Sequence, residues 1–197
     1  MKAYYHARAR EYDEWWLGTG RLAGQRRSGW DEARAALEGA IEALEPARTL
    51  DVACGTGFMT RHLRGEVVAL DQSHAMLEVA RERLPGAETV QGDALALPFP
   101  EGSFDRVFAS YFYCHLQEQE RVRFLDEARR VAPELVIVGS VQSDGSRAVR
   151  SEERVLNDGS TWEVYKRYFQ AEPLLEELGG GRVLFEYPKF FLMVASP

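Results

Sequence analysis

Only two cysteines occur in the 197 residues, Cys54 and Cys114, too few for a disulfide scaffold and without metal-ligand spacing. Basic residues are also in short supply: 24 Lys and Arg face 31 Asp and Glu, a formal net charge of -7. That balance argues against a nucleic-acid partner, whose phosphates demand clustered cations. No apolar run approaches the roughly 18 residues of a membrane-spanning helix. The charged, tyrosine-rich N-terminus does not read as a secretory signal, so the expectation is a cytoplasmic protein with no membrane partner. Repeats, low-complexity stretches and linkers are missing as well. What remains is 45% hydrophobic and 28% charged content, in a length that suits a single domain, 1–197, with a full core.

The most informative stretch is Thr49 to Gly57, TLDVACGTG. Leu50 to Ala53 reads as the end of a buried strand, and Gly55 and Gly57 permit a tight turn and close backbone approach. Phe58 to Arg64 reads as a helix whose first N–H groups face the loop. A second apolar run, Val67 to Leu70, ends at Asp71, and a third segment closes at Asp93. Three acids at strand ends, in an alternating strand and helix pattern, make a nucleoside-binding edge.

Four stretches in order, Leu50–Gly57, Val68–Leu77, Gly92–Phe99 and Ser103–Val107, resemble the class I S-adenosylmethionine-dependent methyltransferases. The likeness is to their small-molecule branch, which includes the quinone methyltransferases, and it covers nearly the whole chain. It implies S-adenosylmethionine as cofactor and S-adenosylhomocysteine as product. By that resemblance the glycine loop passes under the methionine part, Asp71 takes both ribose hydroxyls and Asp93 takes the adenine amino group. The implied cofactor site comprises Asp51, Ala53, Cys54, Gly55, Thr56, Gly57, Asp71, Gln72, Met76, Asp93, Ala94, Leu95, Ser110 and Tyr12. An ionised Asp71 bonding two vicinal hydroxyls would gain the strength of charge-assisted bonds. The N–H groups of Ala94 and Leu95 are placed to address a ring nitrogen, and Leu95, Leu97, Pro98 and Met76 to face the adenine. One departure is the helix-to-strand turn Ala132-Pro133-Glu134, shorter than the family's Pro-Gly-Gly type.

The rest of the chain fits an α/β fold. A Rossmann-like, doubly wound, seven-stranded sheet is expected, mostly parallel, with an antiparallel last strand and a small C-terminal hairpin insertion over 147–169. Residues 1–30 read as irregular, a lid or acceptor segment crowded with aromatics. Asp31–Glu45 reads as an amphipathic helix stopped by Pro46. Ser73 is a candidate N-cap for a helix through Leu84. Phe104–Ser110 reads as strand 4, Gln117–Val131 as a helix with Val122, Leu125, Ala128 and Ala132 inward, and Leu135–Val141 as strand 5. Arg150–Leu156 and Thr161–Tyr168 pair across Asn157-Asp158-Gly159. A short helix over 172–178 precedes the final antiparallel pair, Arg182–Tyr187 and Phe190–Ala195. That reversed strand separates this sheet from a dinucleotide-binding one, as does Thr60 at the third glycine position of the NAD fingerprint.

Methyl transfer from a sulfonium is an in-line displacement with a neutral leaving group, so alignment of donor and acceptor carries most of the catalysis. Trp15, Trp16 and Phe112 either face the cation or pack as core. A base is required only when the acceptor carries a proton that must leave. His115, ordinarily titrating near neutrality, is the catalytic candidate, with Tyr5, Tyr12 and Tyr113 behind it. Arg8, Arg10, Arg21, Arg26 and Arg27 in one segment, and Arg147, Arg150, Arg154 and Arg167 in the other, suit an anionic or aromatic small-molecule acceptor. Surface solvation explains the same arginines equally well. A non-catalytic cofactor-binding sensor and a nicotinamide dehydrogenase are the alternatives; the assembly is a monomer or homodimer. The two cysteines are expected near one sheet edge, as small apolar residues or as a redox gate on the cofactor site.

Overall fold

The computed structural model describes residues 2–23, 28–142, 145 and 147–197. Its helices are α1 (Lys2–Arg8), α2 (Glu14–Leu17), α3 (Trp30–Glu42), α4 (His74–Arg83), α5 (Glu118–Val131) and α6 (Ala171–Glu177). The strands are β1 (Thr49–Val52), β2 (Val67–Asp71), β3 (Glu88–Gln91), β4 (Arg106–Ser110), β5 (Glu134–Ser140), β6 (Val149–Val155), β7 (Thr161–Arg167), β8 (Arg182–Tyr187) and β9 (Phe191–Ser196). Seven strands form one sheet in the order β3-β2-β1-β4-β5-β9-β8, and β6 and β7 make a separate hairpin. Strands β1 to β5 pair in parallel, while β9 runs antiparallel to both β5 and β8. The reversed strand therefore lies inside the sheet, one place from its edge. Strand order changes direction between β1 and β4, the point above which α/β sheets bind ligands.

Continuous apolar strands build two cores because successive side chains point to opposite faces. Val107 and Ala109 of β4, Leu135 and Ile137 of β5, and Leu192 and Val194 of β9 join Phe124, Ala128 and Val131 of α5 on one face. Phe108, Val136, Val138, Phe191 and Met193 meet Trp30, Ala33, Leu37 and Ile41 of α3 on the other. Val122 is not part of the buried face of α5; it is 57% exposed. At about 100° per residue it lies roughly 120° round from Ala128, and Phe124 takes the inward place.

Two local expectations change. The N-terminal segment is helical rather than irregular, because Tyr4 is buried against Leu156 and Val164 and Trp16 is packed in the second core. Phe58–Arg64 forms only a 3₁₀ turn at Thr60–His62. Gly65, at φ 99°, ends that excursion before β2. A Cβ there would stand 2.4 Å from the carbonyl oxygen of Ala47. Gly65→Ala is therefore expected to cost at least about 2 kcal/mol. Calorimetry should read this as a melting point lower by roughly 4–8 °C; an unchanged melting point would refute the backbone argument.

Candidate functional site

A cleft of about 330 Å³ opens above the β1/β4 switch. Its two backbone rims are unusual: Ala53 after β1 and Tyr111 after β4 both have positive φ, 57° and 56°. Such left-handed conformations cost non-glycine residues about 1–2 kcal/mol and concentrate at functional sites. Tyr111 is held there by its N–H bond to the Val138 carbonyl, 2.9 Å.

Asp71, at the tip of β2, is 6% exposed. One carboxylate oxygen accepts from the Gly55 N–H at 3.0 Å and the other from the Ser73 N–H at 2.7 Å. Burial raises its pKa against the opposing pull of these backbone bonds. Gly55 has φ 57°, and a Cβ on it would point at the Tyr12 ring, 3.7 Å away, closing the space between loop and helix segment. Ser73 caps α4 by accepting from the Met76 N–H, as its position in sequence implies.

Of the sequence-derived cofactor residues, Tyr12, Ala53, Gly55, Asp71, Gln72, Met76, Asp93, Ala94, Leu95 and Ser110 line this cleft. Asp51, Cys54, Thr56 and Gly57 do not. Asp51 lies beneath it, 2% exposed, accepting from the Thr60 hydroxyl at 2.5 Å, and burial pushes its pKa up to about 7. With Tyr12, Ala53, Cys54 and Ser110 it lines a void of about 20 Å³ below the loop. Asp51 Oδ1 and Ser110 Oγ are both buried there without a hydrogen-bond partner among the described residues. Thr56 faces away, donating its hydroxyl to Asp13 at 2.6 Å. Arg83 completes that link by pairing with Asp13 and donating to the Thr56 carbonyl at 2.7 Å. The N-terminal segment is thus tied directly to the glycine loop.

Several finer expectations are corrected. The Leu95 N–H is taken by the Asp93 carboxylate, 2.9 Å, in a local turn and is not directed at a ligand. Leu97 is packed in the first core, and neither it nor Pro98 lines the cleft. Trp16 is 1% exposed and stacks on Phe58 at 5.4 Å between centroids, so it is core. Phe112 both lines the cleft and packs on Phe124. His115 does not titrate near neutrality: burial lowers its pKa to about 4. Its Nδ1 lies 2.7 Å from the Tyr165 carbonyl, an acceptor, so Nδ1 carries the proton and Nε2 keeps its lone pair. Burial pushes the Tyr5, Tyr12 and Tyr113 phenols upward, which removes them as bases near neutrality. Both cysteines are free thiols raised by burial, and they pack in different clusters.

Beside the cleft lies a second one of about 630 Å³, lined by Trp15, Trp30, Tyr111, Ser140, Glu152, Arg154, Lys166 and Tyr168, among others. A small gap of about 30 Å³ between the two is bounded by Tyr5, Arg8, Tyr12, Trp15, Tyr111, His115, Arg154 and Lys166. Tyr111 lines all three spaces. Lys166 is 6% exposed, with Nζ 5.0–5.8 Å from the Trp15, Tyr111 and Tyr168 ring centroids. The N-terminal segment and the hairpin come together here: Glu11 and Glu14 accept from Asn157 at 2.7 and 2.9 Å.

The arginines divide. Arg8 and Arg154 face the gap, Arg154 paired with Glu152. Arg10, Arg21, Arg147 and Arg150 are exposed, and Arg167 is turned away onto Glu177. Arg26 and Arg27 lie outside the described residues. Lys166, Glu152 and Tyr168 escaped sequence reasoning. Their only signal was alternation along a hairpin, which does not say which face meets a cleft. Among the described residues no cluster of His, Cys, Asp and Glu could hold a metal, and no helix is long and apolar enough to cross a membrane.

Residues 50–134 match the family model described as a methyltransferase domain. A demethylmenaquinone methyltransferase of Thermotoga maritima is 39% identical over 93 residues, 45% of this chain and 40% of that protein. The one of Thermus thermophilus is 35% identical over 156 residues, 75% of this chain and 64% of the relative. This chain thus spans less than two thirds of those relatives' length. Among solved structures, the DhpI–SAH complex is 27% identical, with a TM-score of 0.75 over 98% of this chain and 92% of that one. The DhpI–SAM–HEP complex is 26% identical, with a TM-score of 0.74, covering 99% and 95%.

Proposed function

We propose that the chain is a class I S-adenosylmethionine-dependent methyltransferase, in line with the methyltransferase-domain match over residues 50–134, and that it methylates an oxyanion on a small-molecule acceptor held in the 630 Å³ cleft. The cofactor cleft suits its ligand on observations of its own. Asp71 presents a buried carboxylate at the strand tip, and the missing Cβ of Gly55 leaves open the space that it would fill against the Tyr12 ring. The unpartnered Asp51 Oδ1 and Ser110 Oγ await a cationic donor such as the ammonium of the methionine end. Asp71 would hold the ribose and Asp93 the adenine amine. S-adenosylmethionine, when bound, supplies a methyl already activated on a sulfonium.

What supports the acceptor assignment is the small gap between the two clefts, which shares Tyr111 with both and Lys166 and Arg154 with the larger one. Three cations, Arg8, Arg154 and Lys166, bound the gap against one nearby carboxylate, Glu152, which pairs with Arg154, and that excess favours negative charge. The relatives named as demethylmenaquinone methyltransferases bring a quinol acceptor as the other reading. His115 decides between them. With a pKa of about 4 it is a poor base near neutrality, whereas its Nε2 can still orient a hydrogen-bond donor. A nucleophile that is already ionised needs no base.

The test is S-adenosylhomocysteine formation with benzoate, phenyl phosphate, 4-hydroxybenzoate and 1,4-naphthohydroquinone. Turnover is expected with the anions, and Lys166→Ala should lower it at least about tenfold while S-adenosylmethionine still binds. Turnover of the uncharged hydroquinone alone, undiminished in Lys166→Ala, would overturn the oxyanion assignment. Tight cofactor binding with no turnover on any of the four would favour a non-catalytic sensor.

A further inference from the structure

Lys166 and the Tyr165 carbonyl that orients His115 both sit on β7, yet β7 belongs to a two-stranded hairpin outside the main sheet. Isolated two-stranded hairpins are marginal on their own; this one is anchored at its tip by Asn157 on Glu11 and Glu14 and past β7 by the Phe169 N–H bond to the Ser140 carbonyl, 2.9 Å, and Arg167 adds a further anchor. The next residue, Arg167, points the opposite way from Lys166, as successive strand residues do. Its Nη1 meets Glu177 Oε2 of α6 at 2.6 Å. The other oxygen of the same carboxylate accepts from the Tyr113 hydroxyl at 2.6 Å and pairs with Arg121 Nε of α5 at 2.8 Å. Tyr113 begins the 3₁₀ turn that ends at His115. One carboxylate therefore joins four elements: α5, α6, β7 and the turn carrying His115.

We propose that Glu177 is a positioning residue for the acceptor site: it locks the rotation of β7 so that Lys166 faces the acceptor cleft and the Tyr165 carbonyl reaches His115. Glu177 lines none of the cavities described above, so it acts only through Arg167 and Tyr113. The geometry supports this over a purely structural ion pair, because Lys166 lines the acceptor cleft and His115 the gap between the two clefts. Lys166 is adjacent in chain to Arg167, and His115 lies two residues past Tyr113. His115 also lines the cofactor cleft, but the carboxylates there, Asp71 and Asp93, come from β2 and the loop after β3. Losing the clamp should separate the two binding functions. Two buried or half-buried arginines would also lose their counter-charge, which lowers stability in addition.

This inference rests on the anionic-acceptor reading, and the experiment keeps the two apart. Inorganic phosphate is titrated calorimetrically into the protein saturated with S-adenosylhomocysteine, and the His115 ring N–H is followed by NMR. Glu177→Gln is isosteric; Arg167→Gln serves as the second variant should the first not fold. Both are expected to weaken phosphate at least tenfold and to lose the slowly exchanging Nδ1–H signal. The S-adenosylhomocysteine Kd should stay within about threefold. Lys166→Ala should lose phosphate but keep the His115 signal. Phosphate affinity and His115 signal unchanged in both Glu177→Gln and Arg167→Gln, with Lys166→Ala losing phosphate, would overturn the positioning role alone. Absence of phosphate binding by the wild-type protein would overturn the acceptor reading and this inference with it.

Discussion

Asp71→Ala is expected to weaken S-adenosylmethionine binding by 10²-fold or more. Each hydrogen bond from a ribose hydroxyl to a charged acceptor is worth about 1.5–3 kcal/mol. Two of them at once give roughly 3–6 kcal/mol, or two to four decades in Kd. The carboxylate has a second duty that makes the loss larger than its contacts alone. It accepts from the N–H groups of Gly55 and Ser73, at 3.0 and 2.7 Å, and so fixes the glycine loop against the start of α4. Alanine orphans both donors in a buried setting. Asp71→Asn keeps one acceptor oxygen and should fall between the two. Titration calorimetry reads the affinity, and thermal melting of the cofactor-free proteins reads the loop's share. Binding by Asp71→Ala within threefold of wild type would remove the nucleoside from the β2 tip.

The parts of this site written by short segments are legible in the sequence. Gly55, Asp71 and Asp93 line one cleft, with Asp51 beneath it, because a parallel sheet sends every strand's C-terminal end the same way. Strand ends in sequence therefore become neighbours in space. The capping of α4 by Ser73 is equally local. What the residues did not announce is set by distant partners. Phe58–Arg64 has helical spacing, yet Gly65 and its close approach to Ala47 shorten it to one turn. The N-terminal segment carries no strong period, but Tyr4 and Trp16 find partners more than forty residues away and the backbone coils to place them. Arg154 and Arg167 looked equivalent on the hairpin. One faces the gap and the other Glu177, and only the strand's rotation against α6 separates them. His115 was found as a residue but not as a chemical species, since burial decides its protonation and burial is a tertiary property.

Cofactor affinity is expected to fall about tenfold per pH unit below 7, and to be flat from 7 to 8. Asp51, proposed above to meet the ammonium of the methionine end, would carry this effect. Its pKa of about 7 comes from burial, which outweighs the Thr60 hydrogen bond, with the neighbouring Asp71 charge adding to the rise. Its free oxygen and the Ser110 hydroxyl face a void of about 20 Å³, enough for one water or one ammonium group. A cationic amine there would bind the ionised carboxylate, so at lower pH each binding event would also expel a proton. From pH 7 to pH 5 the expected loss is about 10²-fold. The cofactor-free protein responds with the opposite sign. The folded-state pKa of Asp51 lies above its unfolded value near 4. Its contribution to stability is therefore complete below pH 4 and lost as pH rises through 7. Asp71, also raised by burial, acts in the same direction. His115, lowered by burial, acts against them: its penalty applies at low pH and vanishes above its unfolded value near 6.5. The difference between wild type and Asp51→Asn isolates Asp51 from both. Melting should show the stabilisation conferred by S-adenosylmethionine growing between pH 5 and 7 in wild type and much less so in Asp51→Asn. Equal pH slopes in the two proteins would mean that the buried carboxylate does not meet the amine, and the void beneath the glycine loop would belong to packing alone.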